Sequence, residues 1–225
     1  MIKSIVHLQR IEICDCKKME QVIVGDGSEE EMRMLLRELG FLKLGGLPKL
    51  TRFCTCDLIE CPALNELQIK NCPVLMTFVS SSASAVMAAS SEREILDYTL
   101  FNEKVAFPNL VQVQISNADA LRKIWHNHLH SVSFYKLRVM KVEYGNQLVQ
   151  IFPSNIFKRL ENLKDVVIRN CDSLEVVFDL QELVINITES ITSELRDLDI
   201  RNLQNLKYVW NKDPQQALSF PSLLS

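Results

Sequence analysis

Apolar residues recur along the chain at offsets 0, 3, 5, 8, 11 and 14, counted from a starting leucine. In one copy these offsets hold Leu64, Leu67, Ile69, Cys72, Leu75 and Phe78. The template begins at Leu8, Leu39, Leu64, Leu110, Leu137, Leu163 and Leu195, with a truncated eighth copy at Leu223. A single lapse falls at Gly145, at offset 8 of its copy. The pattern therefore predicts about seven structural repeats spanning residues 1–225.

Each repeat is predicted to contain one short strand. Offsets 3 and 5 share parity, so their side chains point to one face of that strand. Offset 8 is predicted to be a buried turn that accepts a small residue, and offsets 11 and 14 to lie on a short helix or an irregular return segment. Because no single unit can cover its own apolar face, stacked neighbours would build one continuous core. These features predict an α/β solenoid with short parallel strands on its concave side.

Two segments interrupt the repeat frame. The starts at Leu64 and Leu110 are 46 residues apart, whereas the other spacings are 25 to 32 residues. The excess falls in residues 79–94, VSSSASAVMAASSERE, which predicts a flexible or weakly helical insertion. Residues 25–40 form a smaller insertion that opens with Ser28 and three glutamates, a pattern typical of a helix start. Four of its apolar residues have helical spacing and are expected to pack on the repeats: Met32, Leu35, Leu36 and Leu39.

Three histidines alternate along one segment: His126, His128 and His130. In a strand their side chains would align, which favours a metal site. However, residues 121–137 share the frame Leu-(Arg/Lys)-x-(Ile/Val)-Trp and Ser-Phe-x-x-Leu with residues 206–223, which contain no histidine. No carboxylate or cysteine in the segment completes a ligand set. We interpret the three as surface histidines and expect no bound metal.

The cysteines are explained by the repeat frame. C-x-C pairs begin at residues 14 and 54, and this spacing is not typical of a zinc site. Cys16, Cys72 and Cys171 all occupy offset 8, where a small buried residue is expected. The seven cysteines and the absence of a secretory signal predict free thiols in a reducing compartment.

Composition and charge narrow the function. The net charge is −3 and charged residues make up 24% of the chain, so there is no electrostatic footprint for nucleic acid or membrane binding. No apolar run reaches the roughly 18 residues that span a bilayer, and a cytoplasmic location is expected. No phosphate-binding loop, dinucleotide fingerprint or nucleophile elbow is present. The sequence therefore predicts a protein without catalytic activity or cofactors.

The strand residues opposite the predicted core are the candidate binding surface. Offsets 2, 4, 6 and 7 are predicted to point to the concave face, and in the C-terminal copies offsets 2, 4 and 6 set acidic residues beside a basic column. The candidate partner-binding residues are Lys141, Glu143, Asp165, Arg169, Asp197, Asp199 and Arg201. This face is either a platform for a protein partner or a solvated sheet with compensating charges.

Two copies carry a family resemblance. The segments 163-LKDVVIRNCDSLEVVFDL-180 and 64-LNELQIKNCPVLMTF-78 approximate L-x-x-L-x-I-x-x-C-x-x-L-x-x-(I/F). They resemble the leucine-rich repeats of plant intracellular disease-resistance proteins, which consist of a coiled coil, a nucleotide-binding domain and leucine-rich repeats. Residues 100–110 and 148–163 are also similar to that family, and the resemblance covers nearly the whole chain.

The resemblance implies protein recognition in plant innate immunity. The implied partners are a pathogen effector, a guarded host protein, or the nucleotide-binding domain of a receptor. The family's phosphate-binding loop is missing, and the frame already runs at Leu8 and stops within a repeat at Leu223, so we expect a fragment of such a receptor. An alternative is the substrate-recognition arm of a ubiquitin ligase adaptor, because such adaptors also use cytosolic leucine-rich repeats.

Overall fold

The computed structural model describes residues 7–24, 36–80, 99–181, 191–192, 194–212 and 218–219. These residues form a parallel β-solenoid with almost no helix. Its strands are β1 (Arg10–Cys14), β2 (Gln21–Val24), β3 (Phe41–Gly45), β4 (Arg52–Thr55), β5 (Ile59–Glu60), β6 (Glu66–Lys70), β7 (Thr77–Ser80), β8 (Thr99–Phe101), β9 (Val105–Ala106), β10 (Gln112–Ser116), β11 (Lys123–Trp125), β12 (Val139–Glu143), β13 (Gln150–Phe152), β14 (Asp165–Arg169), β15 (Val176–Phe178), β16 (Ile191–Thr192), β17 (Asp197–Arg201), β18 (Tyr208–Trp210) and β19 (Leu218–Ser219).

The main sheet has seven parallel strands in the order β1-β3-β6-β10-β12-β14-β17. Each strand runs from offset 2 to offset 6 of its repeat and pairs in register with the next strand, as in Val166↔Leu198 and Ile168↔Ile200. Offsets 3 and 5 point inward, and Val166 and Ile168 are fully buried. The alternation of apolar and polar residues therefore sets which face of every main-sheet strand meets the core.

The return segments are strands, so the α/β label is not confirmed. Offset 14 lies in a second strand in each repeat, and these strands pair in parallel in the sheets β2-β4-β7, β11-β8 and β13-β15-β18. Helical structure among the described residues is limited to the 3-10 helix η1 (Ser154–Arg159) and the single residue Leu36. Pairing between neighbouring repeats satisfies the backbone N–H and C=O groups of the return segments, and no helix is needed for that purpose.

The core is continuous between the two layers of strands. Stacked aromatic rings from neighbouring repeats run along it, as in Phe152 and Phe178 at 4.9 Å and Phe178 and Trp210 at 5.6 Å between centroids. At Gly145, the one offset 8 position without an apolar side chain, Leu148 occupies the space: a Cβ on Gly145 would lie 2.7 Å from Leu148 Cδ1. In the strands β1 and β17, at the two ends of the main sheet, the inward residues are only partly buried, because each strand has a described neighbour on one side only.

Offset 7 has a left-handed backbone in all seven repeats, with φ between 51° and 61°. The residues are Asp15, Gly46, Asn71, Asn117, Tyr144, Asn170 and Asn202. Asn, Asp and Gly are the residues that tolerate this conformation best. In each of the first six repeats, the offset 7 N–H donates to the last strand carbonyl of the next repeat, as Asn170 does to Arg201 at 3.0 Å. The left-handed residue therefore turns the chain out of the sheet and keeps its backbone hydrogen-bonded.

Two of the cysteine expectations are wrong. Cys54 and Cys56 form a disulfide, since the chain bends just after β4 and brings their Cα atoms to 5.7 Å, within the usual span for such a bond. Cys16 is exposed, because no described repeat precedes it and covers its offset 8 position. Cys72 and Cys171 are buried free thiols, as predicted. Burial raises the pKa of the Cys72 thiol to about 11.

Most of the two predicted insertions lies outside the described residues. Of residues 79–94, only Val79 and Ser80 are described, and both belong to β7. Residues 25–35, with Ser28, Met32 and Leu35, and the start of the eighth copy at Leu223 also lie outside them. Leu36 and Leu39 are described, and both are fully buried in the common core.

Candidate functional site

The side chains at offsets 2, 4 and 6 of the main sheet form one outward surface, which we call the open face. Their exposure alternates with the buried positions of each strand, so they lie on the side of the sheet away from the core. The strands β12, β14 and β17 bring together all seven candidate residues of the sequence: Lys141, Glu143, Asp165, Arg169, Asp197, Asp199 and Arg201. In register, Glu143, Arg169 and Arg201 form one row across the three strands.

Four of these residues form a connected ion-pair network centred on Arg169. Its Nη1 lies 3.6 Å from Glu143 Oε1, and its Nη2 donates to Asp199 Oδ2. Asp199 Oδ1 also accepts a 2.7 Å hydrogen bond from Arg201 Nε. Because charge-assisted hydrogen bonds are directional, the network holds two guanidinium groups and two carboxylates in a defined arrangement across three repeats.

Hydrogen bonding is the largest cause of the pKa shifts of Arg169 and Asp199. The Arg169 hydrogen bond is the largest cause that lowers the pKa of Asp199; partial desolvation opposes it, and Arg201 lowers the pKa further. The same hydrogen bond raises the pKa of Arg169. Arg169 and Asp199 therefore stabilise each other's charged forms.

The other three candidate residues have no ion pair among the described residues. Asp165 and Asp197 are direct in-register partners on β14 and β17, so two carboxylates lie on strands about 4.8 Å apart. Like charges placed opposite each other destabilise a sheet. Lys141 lies one strand from Val167 and two strands from Asp199 in the middle row. No ion pair among the described residues neutralises these three side chains.

The opposite end of the open face carries a separate cluster. Glu12 pairs with Arg10 and lies 3.6 Å from Lys43 Nζ, while the Arg10 guanidinium lies 3.6 Å from the centroid of the Phe41 ring. The hydrogen bond from Arg10 is the largest cause that lowers the pKa of Glu12. Between the two clusters, β10 contributes only uncharged residues: Gln112, Gln114 and Ser116. The C-terminal charges therefore form a distinct patch.

The histidine segment lies outside the strands. β11 ends at Trp125, and His126 Nδ1 lies 3.1 Å from the His128 backbone N and 3.7 Å from Glu103 Oε2. Asn155 and Arg159 of η1 donate to backbone carbonyls of residues 126–133, so the next repeat holds the segment in place. Within the described ranges, no three His, Cys, Asp or Glu side chains converge as metal ligands would.

Sequence reasoning missed two kinds of residue. Ser133 is fully buried, and its hydroxyl donates to the Val105 carbonyl at 2.8 Å and accepts from Phe107 N–H at 3.0 Å. The signal for it was the recurring Ser-Phe-x-x-Leu segment. The left-handed backbone conformation at offset 7 was missed as well, although Asn, Asp or Gly recurs there in six of seven copies. Tyr144 is the exception.

Across the part of the chain that the structure covers, no helix has the length and apolar character needed to cross a bilayer. A family model described as "Plant disease resistance protein RPS2-like, leucine-rich repeats" matches residues 109–225, which is just over half of the 225 residues. The matched region contains β12, β14 and β17 with the whole C-terminal patch. No curated protein and no solved structure matches the chain.

Proposed function

Because the chain belongs to the family of RPS2-like leucine-rich repeats of plant disease resistance proteins, we propose that its open face recognises other proteins in plant immunity. Leucine-rich repeats of this kind are recognition modules and are typically not enzymes. The family supports this function over the substrate arm of a ubiquitin ligase adaptor. The observation that carries the proposal is the C-terminal patch, where a rigid sheet presents both paired and unpaired charges.

The patch suits protein recognition for two physical reasons. First, the parallel backbone ladder fixes the rows of side chains, so a partner meets a preorganised surface and little ordering entropy is lost on binding. Second, Asp165, Asp197 and Lys141 are charged and unpaired among the described residues, and such groups steer a partner and select it by charge.

We propose that the partner is a pathogen effector or a guarded host protein. Within a longer receptor chain, the same repeats would contact a nucleotide-binding domain. We further propose that recognition takes place in the cytoplasm and that this chain supplies binding without catalysis.

Proximity labelling in plant cells tests the proposal with a matched pair of charge variants. The open-face variant combines Lys141→Glu with Asp165→Lys, which leaves the Arg169 network intact. The control combines Glu175→Lys with Lys207→Glu, which swaps a 2.9 Å ion pair located immediately before the return strands β15 and β18. We expect the open-face variant to lose labelled proteins that the wild type and the control both retain. An identical labelled set for all three proteins would refute the open face as the binding surface, provided that circular dichroism shows equal folding.

A further inference from the structure

Tyr144 has a backbone conformation that is unfavourable for its residue type. It lies at offset 7 with φ +56°, where the other six repeats have Asn, Asp or Gly. A bulky residue in the left-handed region is an outlier whose strain needs compensation from its surroundings. Packing supplies little compensation, because the side chain is 47% exposed. Strain at an exposed aromatic residue is the kind of outlier that points to a function beyond folding.

The tyrosine also interrupts a ladder of asparagine side chains. Asn117 Nδ2 donates to Asn71 Oδ1 at 2.5 Å, and Asn202 Nδ2 donates to Asn170 Oδ1 at 2.9 Å. Tyr144 lies between these two pairs and has no amide to continue them. Within the described residues, the Asn117 amide oxygen and the Asn170 amide N–H groups consequently have no side-chain partner. One acceptor and one donor thus flank the exposed ring.

Two carboxylates without a cationic partner among the described residues lie beside this gap. The carboxylates at offset 9 of the two flanking repeats, Asp119 and Asp172, have no cationic partner among the described residues; Asp119 accepts only from the Asn146 amide at 3.2 Å. On the adjoining sheet, the offset 6 residues next to the gap belong to the Arg169 network, in which two positive and two negative side chains balance. The surface around the tyrosine therefore complements a positively charged partner.

We propose that Tyr144 anchors a docking surface for an extended basic segment of another polypeptide. An Arg or Lys side chain of that segment lies over the phenol ring, and a peptide group of the segment bonds to Asn117 or Asn170 in the interrupted ladder. Exposed tyrosines with this combination of apolar area and polar neighbours are typical binding hot spots. The inference rests on the proposed function, and it names the chemistry of the partner and the residue that contributes most to binding.

Selection of phage-displayed random dodecapeptides on the full chain tests the proposal. We expect the wild type to enrich peptides that contain Arg or Lys. Tyr144→Asn should weaken their binding at least tenfold while raising the melting temperature, because asparagine suits the backbone and restores the ladder. Tyr144→Phe should retain most of the binding. Tyr208→Asn is the matched control, since Tyr208 is 55% exposed on the return strand β18 and should not matter.

Several results would overturn the inference: no enrichment, enrichment without basic residues, or equal binding by Tyr144→Asn. A parallel fall in binding and melting temperature in Tyr144→Asn would indicate lost structure, and it would count against the inference too. If the Lys141→Glu, Asp165→Lys variant abolished binding while Tyr144→Asn did not, the open face would stand and the anchor would be wrong. If Tyr144→Asn weakened peptide binding but the open-face variant kept the same labelled proteins as the wild type, the proposed function would be refuted and the role of Tyr144 would remain.

Discussion

Substitution of Asn170 separates backbone strain from side-chain hydrogen bonding in the asparagine ladder. Asn170 has φ +54° and accepts the 2.9 Å hydrogen bond from Asn202. Alanine would lose a bond worth about 1 kcal/mol and also the short polar side chain that lets asparagine tolerate the left-handed region, where a Cβ without such support costs about 1–2 kcal/mol. Glycine would lose the same bond without that steric cost. We therefore expect Asn170→Ala to destabilise the protein by about 2–3 kcal/mol, and Asn170→Gly by about 1 kcal/mol less.

Asn205 provides the control for this pair. It donates a 2.7 Å hydrogen bond to the Asp172 carbonyl across the same two repeats, but its φ is not positive. At such a position glycine costs more than alanine, by about 0.5–1 kcal/mol, because it has more freedom to lose on folding. The order of the two substitutions should therefore reverse between Asn170 and Asn205.

Urea unfolding followed by circular dichroism and by tryptophan fluorescence measures the differences. Coincident curves from the two probes would justify a two-state treatment, which repeat proteins do not always obey, and equal slopes would show that only stability changed. Equal destabilisation by Ala and Gly at Asn170 would refute the left-handed assignment. No destabilisation by either would show that the ladder contributes nothing to stability.

Three further predictions concern the core, the ion network and the thiols. Ile168→Asp should lower the free energy of unfolding by on the order of 4 kcal/mol or more, because it buries an unpaired charge. Val167→Asp on the open face should lower it by less than about 1 kcal/mol. Similar urea midpoints for the two variants would contradict the inward orientation of Ile168. Because the pKa of Asp199 is lowered on folding, its stabilisation is complete above about pH 4 and is lost as the pH falls through the folded pKa. As the pH falls below about 4, the melting temperature of Asp199→Asn should therefore fall less than that of the wild type, and parallel pH profiles would contradict the network. Peptide mapping after thiol labelling should find Cys16 modified in the native protein. Cys72 is buried and its pKa is raised to about 11, so it should be modified only in denaturant. Labelling of Cys72 in the native protein would contradict its burial.

Much of the fold follows from residues that are close in sequence. The shared parity of Val166 and Ile168 is a local property, and it identifies the inward face of β14 without knowledge of any other repeat. Recurrence of that pattern predicts parallel stacking, because each repeat needs a neighbour to cover its apolar side chains. The charged residues of the open face follow from the same parity, since they occupy the alternate positions.

Other features depend on contacts between repeats, and only the tertiary structure decided them. Arg169 and Asp199 are 30 residues apart and meet because β14 and β17 pair in register, although the loops that set this register differ in length from repeat to repeat. The return segments became strands because pairing across repeats satisfies their backbone groups, and such pairing leaves a weak signal in any single copy. The backbone strain at Tyr144 could likewise not be predicted from the sequence. The sequence shows which residue occupies offset 7, but only the stacked backbone requires a positive φ there.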